Sequence, residues 1–318
     1  MIFVKFTIKE KGIFKIMGNK SAFIAIIGVP NVGKSSLLNA LLGQKISIVS
    51  TKPQTTRNRI MGILTQAETQ LVFIDTPGVH TPKTQLGHYM EKSIKNSILS
   101  VDSCLFVVEA GKNLKASELK LIKKLKNFKF PVILAINKID VLQDKSVLMK
   151  QISQISELIN LAAVVPISAK AHDGLDVLLS ELKKVATCEG HFFQDDALTD
   201  QPERVIVSEI IREKILQLID KEIPHGVAVC VEKMRDRGDG SLMDIDATIY
   251  CEKTTHKGIL IGKHGTTLKK IGSLARSDIE NFFDTKVNLQ VWVKVKEDWR
   301  NRAGLLKNFG FDEKNFNM

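Results

Sequence analysis

The chain has 318 residues, 44% of them hydrophobic, and carries 46 Lys and Arg against 35 Asp and Glu, a net charge of +11. That length is more than one hydrophobic core usually fills, so two domains are expected, and the basic balance favours a polyanionic partner, either nucleic acid or an anionic membrane surface. No apolar run reaches the roughly 18 residues that span a bilayer, and Cys104, Cys188, Cys230 and Cys251 are scattered without a C-x-x-C pair, which argues against a metal site and for a reducing, cytoplasmic compartment.

In chain order, residues 1–20 read as an N-terminal extension. Lys5, Lys9, Lys11 and Lys15 interrupt every apolar stretch, so no signal peptide forms, and Met17-Gly18-Asn19-Lys20 reads as an ordinary protein start. From Phe23 to Ile27 the chain is apolar without alternation, as in a buried parallel strand. Gly28-Val29-Pro30-Asn31-Val32-Gly33-Lys34-Ser35 follows, and then Leu37, Leu38, Leu41 and Leu42 at helical spacing. Strand, loop and helix in this order, with G-x-x-x-x-G-K-S between, predict a loop whose backbone N–H groups cradle nucleotide phosphates. Gly28 and Gly33 are expected to permit close approach and left-handed torsions, Lys34 to reach the β- and γ-phosphates, and Ser35 to offer its hydroxyl to Mg²⁺.

Gln44 to Arg59 is polar and rich in Ser and Thr; with Pro53 inside it, Lys52-Pro53-Gln54-Thr55-Thr56-Arg57 reads as loop. Strands are expected at 60–64 and 70–74, the second ending in Asp75-Thr76-Pro77-Gly78. An acidic residue at the carboxyl end of a buried strand suits a Mg²⁺ ligand, and the Pro-Gly turn brings a backbone N–H near a γ-phosphate. The alternation continues with a strand at 103–109, a helix at 116–127 and a strand at 131–136 that runs into Asn137-Lys138-Ile139-Asp140. After a further helix come the strand 163–167, Ser168-Ala169-Lys170 and a helix from Leu175 to about Ala186. Such alternation predicts a mostly parallel sheet with helices on both faces and the ligand outside the strand carboxyl ends, where every one of these polar motifs falls. In Asn137-Lys138-Ile139-Asp140 the aspartate can accept from N1–H and N2–H₂ of guanine, whereas adenine would leave the carboxylate unpaired. Asn137 and Lys138 then brace the loop and the ring, with the Ser168-Ala169-Lys170 backbone near the guanine oxygen.

This ordered set resembles the translation-factor branch of P-loop GTPases, and G-V-P-N-V-G-K-S-S-L-L-N with K-P-Q-T-T-R resembles the bacterial Era GTPases. The resemblance implies that a threonine of the polar loop completes Mg²⁺ coordination, carried onto Thr56 beside Arg57, with Thr55 as the second choice. It also implies a K⁺ held by Asn31. Val79 stands where Ras-like enzymes have a water-orienting Gln, so hydrolysis of GTP to GDP is expected to be slow and electrostatic, resting on Lys34, Thr56 and the metal. His80 and His88 read as solvated residues of a mobile segment rather than as a base.

The GTPase unit is assigned to residues 21–188. The acidic stretch 189–203, without hydrophobic periodicity, reads as a linker whose Phe192 and Phe193 dock on one domain. A helix is expected from Glu203 to Leu218, strands at 226–232 and 243–251 around the turn-rich Arg235 to Gly240, a short helix near Lys257, then Ile261-Gly262-Lys263-His264-Gly265, a helix to Phe283 and the strand 287–295. This order around G-x-x-G resembles a type II KH domain, assigned to residues 204–300, followed by a tail at 301–318. In that resemblance Gly262, Lys263, His264 and Gly265, with Lys257, Lys269 and Lys270, clamp single-stranded RNA. The Era resemblance extends this to the 3′ end of small-subunit ribosomal RNA and maturation of the small ribosomal subunit by a monomer. The rival reading is a membrane-associated signalling switch held peripherally on anionic lipid at the inner membrane.

Overall fold

A computed structural model describes residues 18–311 apart from Pro53, residues 79–81, Lys83, Lys145, Lys221 and residues 239–241. The readings of residues 1–17 and of Val79 and His80 lie outside the described residues.

The first domain runs β1 Lys20–Ile27, α1 Lys34–Leu42, β2 Ile60–Gln66, β3 Thr69–Asp75, α2 Gln85–Leu99, β4 Ser103–Glu109, α3 Ala116–Leu125, β5 Val132–Asn137, α4 Ser146–Leu158, β6 Ala163–Ile167, α5 Leu175–Lys183 and β7 Cys188–Glu189. The sheet order is β2-β3-β1-β4-β5-β6, with β7 pairing antiparallel to the start of β1. β3, β1, β4, β5 and β6 are parallel neighbours, and β2 is an antiparallel edge turned back on β3. The central strands are apolar at consecutive positions because helices cover both faces: Ile24 to Ile27, Leu105 to Val107 and Ile133 to Ile136 are all essentially inaccessible.

α2 is the element that the motif reading passed over. Leu86, Tyr89, Met90, Ile94 and Ile98 form its buried stripe, and Thr84 caps its N-terminus by accepting from the Gly87 amide. His88 therefore sits on an ordered helix, on its exposed side, rather than in a mobile segment.

The stretch after β7 lies across the first domain. Gln70 Oε1 accepts from the Phe192 and Phe193 amides at 2.9 and 3.0 Å, Ile63 donates to the Leu198 carbonyl, and Phe193 and Ala197 cover Met61, Ile63, Val72 and Ile74 on the outer face of the β2–β3 edge.

The second domain runs α6 Glu203–Leu218, β8 Ala228–Asp236, β9 Leu242–Cys251, α7 Thr254–Ile261, α8 Thr266–Phe283 and β10 Lys286–Val295, with a closing helix α9 Ala303–Asn308. β8 runs on through Arg235 and Asp236, which the sequence reading assigned to the turn; the cross-strand register to Asp244 and Met243 holds them. β9 pairs antiparallel with β8 and parallel with β10, and the helices pack on one sheet face around Ile211, Ile215, Ile249, Ile271 and Ile279. A smaller core joins the domains: Leu86, Tyr89 and Met90 of α2 meet Ala228, the fully buried Trp299 and Leu306 of α9.

Candidate functional site

β1 ends and α1 begins around the glycine-rich loop, so the helix N-terminus and its free amides point into the loop. Gly33 has φ +95°, and a Cβ there would stand 2.3 Å from Asn137 Nδ2, so conformation and space both demand glycine. Gly28 does not share the left-handed torsion expected of it: its need is space, since a Cβ would meet the Val107 carbonyl at 2.5 Å, and Asn31, with φ +70°, takes the second left-handed position. Lys34 is buried and donates to the Gly28 and Val29 carbonyls at 3.1 and 3.2 Å. Burial brings its ammonium down to about 8, with Asp75 opposing the shift.

Three oxygen donors from three separate elements meet beside it. Ser35 Oγ donates to Asp75 Oδ2 at 2.7 Å and lies 2.9 Å from Thr56 Oγ1, so the loop threonine sits with a residue of the first turn of α1 and one at the end of β3. Ser47, absent from the sequence reading, donates to the same carboxylate oxygen at 3.0 Å. Asp75 is wholly buried, its Oδ1 has no hydrogen-bond partner among the described residues, and burial pushes its carboxyl up despite Lys34 and the hydroxyls. A buried carboxylate oxygen left unpaired among hydroxyls is a set of hard oxygen ligands, and it fits Mg²⁺ sharing its remaining positions with phosphates and water. Thr76 donates to the Ile26 carbonyl at 2.9 Å, Pro77 is buried, and Gly78 packs against Pro30, where a Cβ would come within 3.0 Å of its backbone. Asn31 Nδ2 reaches the Thr51 carbonyl at 2.7 Å, joining phosphate loop to polar loop. Together Pro30, Gly33, Lys34, Ser35, Thr55, Thr56 and Gly78 line a cleft of about 410 Å³.

The residues of the N-K-I-D and S-A-K segments lie together beside the phosphate loop. Asn137 Nδ2 donates to the Val32 carbonyl at 2.9 Å while its Oδ1 accepts from the Ala169 amide at 3.0 Å, so one side chain ties the phosphate loop to the 168–170 turn. Lys138, in a left-handed conformation, extends to Glu109 at 3.0 Å, and Ile139 packs on the core. Asp140 is exposed, with Oδ1 accepting from Ser168 Oγ at 2.6 Å; Lys170 is exposed at the same rim.

In the second domain the 262–265 turn separates α7 from α8. Gly262 has φ +73°, and a Cβ there would collide with Thr267; Lys263 and His264 are exposed at its tip. Lys269 and Lys270 are exposed on α8 and Lys257 is half-buried on α7. Beside the turn an open groove of about 720 Å³ has Leu268, Leu289 and Val291 along it and Lys269 and Arg276 at its edge. Of the apolar stripe around the turn, Ile271 is core, while Ile259 is 50% exposed.

A protein-family model described as "50S ribosome-binding GTPase" matches residues 23–138, and one described as "KH domain" matches residues 222–300. The chain is 52% identical over 295 residues to "GTPase Era" of Ruminiclostridium cellulolyticum, covering 93% of this chain and 98% of that one. It is 47% identical to "GTPase Era" of Clostridioides difficile, covering 93% and 99%. Its structure is similar, at TM-score 0.88 and 36% identity over 92% of this chain and 99% of the other, to the crystal structure of Era in complex with MgGDPNP and nucleotides 1506–1542 of 16S ribosomal RNA.

Proposed function

Because the chain belongs to the Era family of GTPases, we propose that it is a GTP-driven switch that binds the 3′ end of small-subunit ribosomal RNA in maturation of the small ribosomal subunit. One observation carries the reading: a Ser35–Thr56–Asp75 cluster and a guanine-reading rim at Asp140 share a chain with an exposed, basic G-x-x-G turn. The RNA-bound relative supports the partner, and its MgGDPNP supports the nucleotide and the metal. That relative and the KH match also favour RNA over anionic lipid as the principal polyanion.

In this reading the amides of the 28–35 loop and Lys34 hold the β- and γ-phosphates, and Ser35, Thr56 and Asp75 hold Mg²⁺. The bound ion supplies charge neutralisation across the phosphate oxygens. Lys34, whose ammonium burial brings down to about 8, is held in its charged form by the phosphates it meets. Thr76, Pro77 and Gly78 keep the strand-end turn against Pro30, so that the turn following Asp75 faces the γ-phosphate. Asn137, Lys138, Ile139 and Asp140 with Ser168, Ala169 and Lys170 hold guanine. Asn31 is proposed, on the family resemblance, to share a K⁺ with the phosphates. Lys257, Lys263, His264, Lys269 and Lys270 contact RNA phosphates while Gly262 and Gly265 shape the turn, and bases lie along the groove walled by Leu268, Leu289 and Val291. The protein works as a cytoplasmic monomer, with any contact to a membrane surface peripheral and secondary.

The test is the double variant Lys263→Asp, His264→Asp against an oligonucleotide of the ribosomal RNA 3′ end. RNA affinity is expected to fall by about a hundredfold or more while GTP hydrolysis continues. Undiminished RNA affinity in that variant defeats the reading.

A further inference from the structure

The segment that carries Thr56 is held on both sides by the second domain. Arg57 is 1% exposed, and its guanidinium leaves the first domain altogether: Nη1 donates to the Val227 carbonyl at 2.6 Å, and Nη2 to those of Pro224 and His225 at 3.2 and 2.9 Å. Its Cζ lies 5.9 Å from the centre of the Trp299 ring. On the other side of Thr56, Arg212 of α6 donates to the Thr55 carbonyl and is itself oriented by Glu209. Further back, Glu213 accepts from the Val49 amide at 2.9 Å and pairs with Lys45. Lys45 also reaches Asp278 of α8 at 3.0 Å, so the same loop is tied to the helix that begins at the G-x-x-G turn.

A fully desolvated guanidinium is costly unless its donors are used; Arg57 places three hydrogen bonds from Nη1 and Nη2 on backbone carbonyls, which cannot rotate away as side chains can, while its buried Nε has no partner among the described residues. Thr56 thus lies between two backbone anchors that belong to the other domain, while its own hydroxyl meets Ser35. We propose that Arg57 and Arg212 are positioning residues for GTP hydrolysis: through the backbone on either side of Thr56 they make the docked second domain the element that seats this threonine against Ser35 and Asp75. The proposal rests on the reading of Thr56 as the metal-completing threonine. It differs from mere adhesion between domains, because adhesion predicts lost stability without a selective loss of the GTP state.

The test uses the full chain with Arg212→Ala, Arg57→Ala, Arg57→Lys and Thr56→Ala. Single-turnover hydrolysis, affinity for GDP and for a non-hydrolysable GTP analogue across a Mg²⁺ titration, thermal midpoint and amide exchange of residues 47–58 are measured. Arg212→Ala and Arg57→Ala are expected to slow hydrolysis about tenfold or more and to raise the Mg²⁺ needed for analogue binding by a similar factor, with GDP affinity kept. Amide exchange across 47–58 should accelerate, and Arg57→Lys, which keeps the charge but not the fork, should remain impaired. Should the Arg57 variants fail to fold, Glu213→Gln keeps an acceptor for Val49, removes the charge paired with Lys45, and is read in the same way. Parental hydrolysis and Mg²⁺ dependence in folded Arg212→Ala, alongside a defective Thr56→Ala, overturns the proposal and leaves the threonine's role standing. A Thr56→Ala protein that behaves as the parent removes both.

Discussion

Asp140 stands exposed with one carboxylate oxygen held by Ser168, so its orientation is fixed before a base arrives. In Asp140→Asn the side-chain amide would face the N1–H and N2–H₂ donors of guanine. GDP affinity should drop about ten- to a hundredfold, the penalty of a lost charge-assisted pair, while xanthosine diphosphate gains, as titration calorimetry with both nucleotides would register. Gly33→Ala sets a φ of +95° and a 2.3 Å approach to Asn137 against a single methyl. The strained torsion alone costs about 1–2 kcal/mol, and displacing Asn137 also releases the Val32 carbonyl and the Ala169 amide. Nucleotide affinity in this variant should fall at least tenfold by the same calorimetry, at about 1.4 kcal/mol per decade. These residues could be singled out because each motif lies within four to eight consecutive positions. Ser47 was not: a serine in a polar loop has no local signature, and only the path of the loop places its hydroxyl 3.0 Å from Asp75.

Among the elements, α2 shows how a pattern can be present and still say little. Leu86, Tyr89, Met90, Ile94 and Ile98 recur at helical spacing, but half of that stripe faces the second domain, not the sheet beneath it. Its partner there is Trp299, which is fully buried, donates from Nε1 to the Gly226 carbonyl at 2.9 Å and meets Phe309 and Phe311. Trp299→Ala should destabilise the protein by about 3–5 kcal/mol in denaturant titration, and amide exchange should rise in α2, which lies far from it in sequence. α6 carries a second surprise. Arg212, Glu213 and Lys214 are all buried, three consecutive charges on a helix whose other side fills the hydrophobic core. Arg212 and Glu213 meet the first domain at Thr55, Lys45 and Val49, while Lys214 pairs with Glu213 and with Asp278 of its own domain. Arg57 belongs to the same interface, where burial, with Arg212 and Arg300 adding to it, brings the guanidinium down to about 9, still high enough to remain charged at neutral pH.

For the whole molecule, two kinds of electrostatics can be separated by experiment. The G-x-x-G turn and α8 offer exposed lysines, whose effect on RNA binding should be salt-dependent: Lys269→Ala should reduce the slope of log affinity against log salt by about 1, whatever the RNA sequence. Between the domains, Asp278 is held below the usual carboxylate range: desolvation opposes the shift, but the ammonium groups of Lys214 and Lys45 outweigh it. A depressed carboxyl stabilises the docked form above the ordinary aspartate range and loses that contribution as pH falls through its folded value. Denaturant midpoints should therefore decline on acidification through and below the ordinary aspartate range, and Asp278→Asn should flatten the decline.

By itself the sequence determined most of the element types of the two domains, α2 excepted, and singled out the phosphate-loop, N-K-I-D and G-x-x-G segments, because hydrophobic periodicity and contiguous polar motifs are local properties of a chain. The antiparallel β2 edge, the lodging of Phe193 over that edge, and the burial of Arg57, Arg212 and Glu213 are decided only by tertiary structure. The lodging of Phe193 and the burial of the three charged residues each depend on which surface a residue meets from more than a hundred positions away, as the Arg57–Val227 bond does across 170 residues, and no local pattern encodes that meeting. Thr56 stands at the boundary: its motif is local, but the position of its hydroxyl beside Ser35 and Asp75 is fixed by bonds that the other domain makes to its neighbours.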